Sequence, residues 1–377
     1  MRQIPRMLQI PRMPQIYRMR PINLALGLLV AATLAACGGD RPARFSAQIV
    51  FGDSLSDVGT YAVGIVARLG GGKYTINGDN TAINAALTGK NWTELMAAQL
   101  GLKAPCAAQT GLDGEASLGF SVAVVDHPGC LSYAQGSARV SNPVGPGNKL
   151  TGSPLGLLTV PVTVQVQRHL ALANDRFGAD QAVFLLAGGN DVFMQLASLE
   201  AGAITPDQAI ANMATAGDEL AALVTTRIVG KGAEHVIVIN LPEITSTPFG
   251  LAQSLPTRQL IAAMTSAFNG RLQTGLGGPG NEARILLVDL FSRSRDQAAH
   301  PAQYGLTNVS TPACDLTAAK NVLSSSLVCN AGNLIAFDVS HYAFADGVHL
   351  TPYNNALLSS LVGTKMAEKG WPASGAN

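Results

Sequence analysis

Short apolar runs alternate along the chain with longer segments whose apolar residues recur every three or four positions. The short runs predict buried β-strands, because a strand covered on both faces needs apolar residues at consecutive positions. They occupy residues 47–51, 182–186, 236–239 and 285–288. The longer segments predict helices at residues 91–100, 160–173, 205–229, 255–274 and 351–368. Strands and helices in this alternation indicate an α/β fold with a parallel central sheet and helices on both faces.

The first 36 residues differ from this pattern. Residues 1–20 carry five arginines and no acidic residue, and residues 22–36 are almost wholly apolar. A basic segment followed by a short apolar one predicts an export signal peptide over residues 1–36. The apolar segment is shorter than the roughly 20 residues that span a bilayer. Translation from Met19 instead of Met1 would leave a signal of ordinary proportions, and both starts stay open.

The end of this signal resembles the bacterial lipoprotein box. The residues are Leu34-Ala35-Ala36-Cys37, and the resemblance implies that Cys37 becomes the lipidated N-terminus of the mature protein. Gly38 follows the cysteine, where an aspartate is associated with retention in the inner membrane, so an outer-membrane lipoprotein facing the periplasm or the surface is expected. A secreted protein with an ordinary cleaved signal is the alternative.

Charge and composition argue against a nucleic-acid-binding protein and against a disordered one. Without the signal, acidic residues outnumber basic ones, which argues against a nucleic-acid partner. Charged residues make up 13% of the chain and hydrophobic residues 47%, which favours a large buried core over disorder. No run of Pro, Ser or charge divides the chain, so we expect one domain over residues 46–372, between a tether at 37–45 and a tail at 373–377.

Four cysteines remain after Cys37, an even number in a chain addressed to an oxidising compartment. They are Cys106, Cys130, Cys314 and Cys329. Three pairings are possible, and closeness in sequence favours Cys106 with Cys130 and Cys314 with Cys329. None of the spacings is Cys-x-x-Cys, and no histidine stands at ligand distance in the sequence, so we expect no metal at these cysteines.

Polar residues that could take part in catalysis lie at the ends of predicted strands or just before predicted helices. Ser54 follows the first strand, Asn190 follows the strand at 182–186, and Asp346 precedes His349 by three residues shortly before the last helix. The carboxyl ends of parallel strands are where open α/β folds place their sites. A serine, a histidine and an aspartate brought together there can form a nucleophile, its base and the acid that orients the base.

These clusters resemble the motifs of the GDSL (SGNH) hydrolase family, in the family's order, between residues about 47 and 370. The matching segments are Phe51-Gly52-Asp53-Ser54-Leu55-Ser56-Asp57, Tyr133-Ala134-Gln135-Gly136-Ser137, Gly188-Gly189-Asn190-Asp191 and Asp346-Gly347-Val348-His349. The resemblance implies a three-layer α/β/α, flavodoxin-like fold with long loop insertions. The first segment points to the branch of secreted bacterial esterases, lipases and lysophospholipases, although Thr60 stands where that branch often has asparagine.

The resemblance also implies roles for individual residues. Ser54 would be the nucleophile, His349 the base and Asp346 its orienting acid. The oxyanion donors would be the backbone N–H groups of Ser54 and Gly136 and the side chain of Asn190. The expected enzyme hydrolyses carboxylic esters of small molecules or lipids through an acyl-enzyme, without metal or organic cofactor. A polysaccharide O-acetyl esterase or an acyltransferase could use the same residues, and a surface lipoprotein that only binds lipid or carbohydrate is the non-enzymatic alternative.

Other residues near the motifs have simpler interpretations. We expect Asp53 to bond turn backbone, Asp57 to order its loop, and Asp191 to be structural. Residues 61–91, 106–130 and 295–338 are longer than typical connections, and segments of that length in a compact domain are usually functional or mobile. We expect them to form the walls of the substrate pocket. Phe193, Tyr342 and Phe344 are candidates for lining that pocket.

Overall fold

The predicted strands form one parallel sheet. A computed structural model describes residues 45–78 and 87–372 of the chain. Its six strands are β1 (Ala47–Gly52), β2 (Gln109–Asp113), β3 (Ser121–Asp126), β4 (Gln181–Leu186), β5 (His235–Ile239) and β6 (Ile285–Val288). Four of them pair in parallel in the order β1–β4–β5–β6. The other two, β2 and β3, form a separate antiparallel hairpin.

Ten helices occur in the same described ranges. They are α1 (Gly64–Arg68), α2 (Trp92–Gln99), α3 (Val162–Leu172), α4 (Gly189–Glu200), α5 (Pro206–Leu223), α6 (Pro248–Leu251), α7 (Leu255–Leu276), α8 (Asn281–Arg284), α9 (Leu290–Ala299) and α10 (Pro352–Glu368). Local sequence fixes several starts: Asn91 with Glu94 forms a capping box for α2, and Thr205 with Gln208 forms one for α5. Proline stands in the first turn of α5 and of α10, where its missing N–H leaves no bond unmade.

The sheet is covered by helices on both faces. Side chains that alternate along β4 point to opposite faces. Val183 and Leu185 join a cluster with apolar residues of α3, α5 and α7. Phe184 and Leu186 join a second cluster with residues of α2 and α10. The predicted three-layer α/β/α architecture is therefore confirmed.

A further segment extends the sheet beyond β1 and matters for the site. The N–H of Val50 donates to the carbonyl of Leu131 (3.0 Å), the N–H of Tyr133 donates to Val50 (2.8 Å), and the N–H of Gln135 donates to Gly52 (3.1 Å). This segment thus runs parallel to β1 and ends at the same edge of the sheet. It delivers the residues after Gln135 to the turn that follows β1.

Both disulfides favoured by the sequence are present. Cys106 pairs with Cys130, and Cys314 pairs with Cys329. The first closes the segment that contains the β2–β3 hairpin. The second closes part of the long connection between α9 and α10, which has an apolar cluster of its own around the two cysteines.

Several expectations lie outside the described residues. They are the signal peptide, Cys37, nearly all of the tether and the tail. Within the described residues, no helix has the length and apolar character needed to cross a bilayer.

The sequence pattern left some elements unassigned. Helices α4, which begins at Gly189, and α9 were not predicted. The hairpin was also missed, since β3 is largely exposed to solvent and has no buried face to give it an alternating pattern. The predicted helix at 205–229 ends its regular part at Leu223 and continues as a π-helical turn to Ile228.

Candidate active site

The candidate nucleophile lies in a tight turn at the carboxyl end of β1. The strand ends at Gly52, whose φ is 151° and whose added Cβ would lie 2.3 Å from the carbonyl oxygen of Leu186. Glycine therefore lets β1 pack against β4 up to the turn. The side-chain amide of Gln165 accepts from the Gly52 N–H (2.9 Å) and donates to the Gly52 carbonyl (2.8 Å). Ser54 follows two residues later and is largely buried.

His349 and Asp346 reach Ser54 from the loop that precedes α10. His349 Nε2 lies 2.8 Å from Ser54 Oγ. His349 Nδ1 lies 2.9 and 2.7 Å from the two carboxylate oxygens of Asp346. Because a carboxylate only accepts hydrogen bonds, this arrangement assigns the ring proton to Nδ1 and leaves Nε2 to accept from the serine hydroxyl. The imidazole is thus placed to take the serine proton as a general base.

The carboxylate of Asp346 is held on both oxygens. Oδ1 accepts the N–H groups of Val348 (3.0 Å) and His349 (2.9 Å), and Oδ2 accepts the N–H of Ser326 (2.8 Å). Burial alone would raise the pKa of Asp346, but the nearby His349 and these hydrogen bonds outweigh it and hold the pKa well below its usual range. Asp346 is therefore a stable anion that can stabilise an imidazolium.

The predicted oxyanion donor Gly136 is engaged elsewhere. Its N–H donates to Asp57 Oδ2 (2.8 Å), and its carbonyl accepts from the Tyr61 hydroxyl (2.9 Å). The next N–H, that of Ser137, has no acceptor among the described residues. Ser137 also has a φ of 67°, a conformation uncommon for a residue with a side chain. At this turn the free amide belongs to Ser137, and the bound one belongs to Gly136.

Asn190 is placed in the first turn of α4, beside Ser54. One hydrogen of its side-chain amide donates to the carbonyl of Ala138 (2.9 Å), and the Nδ2 group has a second hydrogen to offer. The neighbouring Asp191 accepts from the Arg139 side chain (2.8 Å) and from the Val140 N–H (3.0 Å). The structural role expected for Asp191 is confirmed by these bonds, which anchor α4 to the segment after Ser137.

Tyr74 is a part of the site that the sequence did not indicate. Its ring lies 4.7 Å from the His349 ring, centroid to centroid. On its other side it fills the space where a Cβ of Gly136 would be, 2.3 Å from its Cε2. The glycine at position 136 is therefore required by the close approach of Tyr74, and Tyr74 in turn supports the imidazole.

Asp53 stands next to the nucleophile with few partners. Its Oδ1 accepts the N–H of Leu55 (3.1 Å), as expected for a turn residue. Burial raises the pKa of Asp53 to about 7, against the lowering effects of the Leu55 N–H and His349. Asp57 likewise accepts the N–H groups of Gly59 and Thr60, both at 2.8 Å, so its loop-ordering role is confirmed.

One cavity is lined by several residues of this site. It has a volume of about 50 Å³, and its walls include Ser54, Asn190 and His349. Phe193 lines it as expected. Phe344 lines a neighbouring cavity, whereas Tyr342 packs in the cluster around the Cys314–Cys329 disulfide.

The long segments behave differently from one another. Residues 61–91 contribute Tyr74, and residues 295–338 contribute to the neighbouring cavity through Gln297, Ala298 and Val309. The expectation that residues 106–130 wall the substrate pocket is wrong in this structure. They line a third cavity together with residues of α3, and this cavity does not contain Ser54.

Histidines outside the motifs have local partners. His341 Nδ1 lies 3.0 Å from Ser340 Oγ, and its ring packs on Tyr353.

Within the described residues, no group of three or more His, Cys, Asp and Glu side chains could hold a metal ion.

The sequence is similar to a known protein family. The model of the GDSL-like lipase/acylhydrolase family matches residues 49–362. This range includes Ser54, Gly136, Asn190, Asp346 and His349. No match is found among the curated proteins.

The Cys314–Cys329 disulfide is predicted to support the position of Asp346. It closes the loop that contains Ser326, whose N–H holds Asp346 Oδ2. Replacing both cysteines by alanine should lower kcat for an ester roughly tenfold, since a displacement of about 1 Å at a catalytic group can cost on the order of 10²-fold. The Cys106/Cys130 double alanine variant is the control: it loses a bond worth a similar stability, about 3 kcal/mol, and should stay within about threefold of wild type. Equal losses of kcat in the two variants would contradict this role.

The stability of the fold is predicted to depend on the protonation of Asp53. A folded pKa of about 7 lies above the unfolded value of about 3.9, so the stabilisation is complete below about pH 4 and is lost as the pH rises through about 7. Asp53→Asn removes this titration. Between about pH 4 and 7.5 its free energy of unfolding should rise relative to wild type by more than about 1 kcal/mol, measured by chemical denaturation. A flat difference between Asp53→Asn and wild type across this pH range would refute the assignment.

Proposed function

Because the chain belongs to the GDSL-like lipase/acylhydrolase family, a family of ester hydrolases, we propose that it cleaves carboxylic esters through an acyl-enzyme on Ser54. The observation that carries this proposal is the hydrogen-bond chain from Ser54 Oγ through His349 to Asp346, with 2.8 Å between Oγ and Nε2. A hydroxyl is a weak nucleophile unless a base is in contact with it. Here the base is in contact and its orientation is fixed.

The first half-reaction forms a bond between Ser54 Oγ and the ester carbonyl carbon. His349 Nε2 takes the hydroxyl proton as the bond forms, and the carbonyl oxygen becomes an oxyanion. Asp346 stabilises the resulting imidazolium, because its carboxylate stays ionised beside Nδ1. The carbon–oxygen bond to the alcohol then breaks, and His349 returns the proton to the leaving alcohol.

Three N–H groups are proposed to stabilise the oxyanion. They are the backbone amide of Ser54, the second hydrogen of the Asn190 side chain and the backbone amide of Ser137. This proposal replaces Gly136 with Ser137, since the Gly136 N–H already donates to Asp57 and the Ser137 N–H has no acceptor among the described residues. Donors that are fixed before the charge develops are among the largest sources of rate enhancement.

The second half-reaction repeats the chemistry with water. His349 removes a proton from a water molecule, the resulting hydroxide attacks the acyl carbon, and Ser54 leaves as its alkoxide recovers the proton from His349. The acyl group departs as a carboxylic acid.

We also propose that the enzyme acts outside the cytoplasm, anchored to the outer membrane through Cys37. The support is the lipoprotein-type sequence that ends at Cys37 and the presence of two disulfides, which are typical of proteins in oxidising compartments.

Labelling of Ser54 tests the nucleophile directly. We expect a fluorophosphonate probe to modify wild-type protein, and Ser54→Ala to abolish both labelling and hydrolysis of p-nitrophenyl esters. Labelling requires an activated serine, so it separates a working site from a fold that only binds lipid or carbohydrate. If Ser54→Ala retained wild-type turnover, the nucleophile would have to be another residue.

Asn190→Ala tests the oxyanion assignment. Loss of one such donor typically lowers kcat by about 10²–10³, or roughly 2.7–4 kcal/mol. We expect that loss with KM changed by less than about threefold, because the donor acts mainly on the transition state. Asn212→Ala, in a cleft that does not contain Ser54, is the control. Near wild-type kcat in Asn190→Ala would remove Asn190 from the oxyanion site.

A further inference from the structure

A second cavity adjoins the one that contains Ser54. Each has a volume of about 50 Å³. They share four wall residues, Leu55, Pro242, Thr247 and Val348. Leu55 adjoins the nucleophile and Val348 adjoins the base, so the second cavity starts within one residue of the reacting atoms.

The far wall of this second cavity is apolar and comes from distant parts of the chain. Leu290 and Ala298 belong to α9, Ala343 and Phe344 to the loop before the catalytic motif, and Leu358 to α10. Leu290, Ala343 and Leu358 are buried. Such a surface favours an apolar occupant, because burying apolar area is the main source of its binding energy.

Several polar side chains of the wall have partners. The carboxylate of Glu243 accepts from the N–H and hydroxyl of Thr245 (3.0 and 2.6 Å). The side-chain amide of Gln297 donates to Asn354 Oδ1 (3.3 Å). The guanidinium of Arg293 lies over the Tyr304 ring, 5.2 Å from its centroid. Among the described residues that line this cavity, no buried side-chain nitrogen or oxygen lacks a hydrogen-bond partner.

The two halves of an ester have different needs. The alcohol must leave after the first half-reaction and make way for water. The acyl group stays bonded to Ser54 until the second half-reaction ends. An apolar cavity that adjoins the nucleophile and is lined by residues of α9 and α10 therefore suits the acyl group, while the alcohol needs a path to solvent.

From these observations we infer that the second cavity binds the acyl chain and sets its length. This inference rests on the proposed function and adds the substrate class to it. A cavity of about 150 Å³ accommodates a benzene ring, so about 50 Å³ corresponds to about two or three carbons. With the carbonyl and the first carbons beside Ser54, the preferred substrates are esters of acids with about four to six carbons.

Kinetics with p-nitrophenyl esters of increasing acyl length test the inference. In wild type, kcat/KM should rise at least tenfold from acetate to butanoate or hexanoate and fall again by dodecanoate, since one methylene in an apolar pocket is worth about 10–200-fold. Ala298→Phe fills the cavity and should lower the hexanoate-to-acetate ratio of kcat/KM at least tenfold. Phe344→Ala enlarges it and should move the optimum to longer chains.

Ala299→Phe is the matched control. The residue lies next to Ala298 on α9 but is exposed and does not line the cavity. Its hexanoate-to-acetate ratio should stay within about twofold of wild type. Thermal melting of each variant separates a change in selectivity from a loss of fold, and the ratio is read only from variants that melt cooperatively like wild type.

A second series distinguishes the two halves of the ester. Acetates of alcohols from methanol to hexanol keep the acyl group constant, and Ala298→Phe should leave their relative rates unchanged. If the variant instead altered the alcohol series, or altered neither series, the acyl assignment would be overturned while the hydrolase remained. If wild type cleaved no ester and Ser54 took no fluorophosphonate, the proposed function itself would fail.

Discussion

A single buried carboxylate, that of Asp57, joins the loop that follows the nucleophile to the strand-like segment beside it. It accepts two N–H groups from its own loop and the N–H of Gly136 from the neighbouring segment, each at 2.8 Å. Burial raises the pKa of Asp57, and the three N–H groups oppose that rise, so the donors reduce the cost of burying the carboxylate. Gly136 in turn makes room for Tyr74, whose ring packs on His349. Through these contacts, the loop that begins at Ser54 supports the position of the His349 ring.

Two other carboxylates in the site show how the surroundings of a buried carboxylate set its ionisation. Asp346 lies against the His349 imidazole and accepts three backbone N–H groups, and its pKa falls despite burial. Asp53 receives the N–H of Leu55, and burial then dominates and raises its pKa. The two residues are equally hidden from solvent, so direct contact with His349 together with the additional donors, and not exposure, separates a permanent anion from a group that titrates near neutral pH. Catalytic sites often contain two groups of the same chemical type whose surroundings give them different pKa values.

Much of this arrangement could be predicted from the sequence, for identifiable reasons. The four sheet strands are nearly continuous apolar runs. Ser54 lies in one short motif, and Asp346 and His349 lie three residues apart in another. What could not be predicted depends on contacts between distant segments. Nothing near Gly136 in the sequence reveals that its N–H donates to Asp57. The amide left free at this turn is that of Ser137. Tyr74 lies in a long irregular segment without periodicity, and its role follows only from its packing on His349. The second cavity is formed between α9 and α10, and α9 itself was missed because its sequence is largely polar.

Ser54 and His349 are 295 residues apart in the sequence, and their hydrogen bond closes a loop that contains nearly the whole domain. Ser54 is among the first described residues to be synthesised, and His349 is among the last. A nascent or truncated chain that ends before His349 therefore carries Ser54 without the imidazole that contacts it. Under the proposed function, the catalytic pair forms only after nearly all of the domain has been synthesised and its first and last segments have come together.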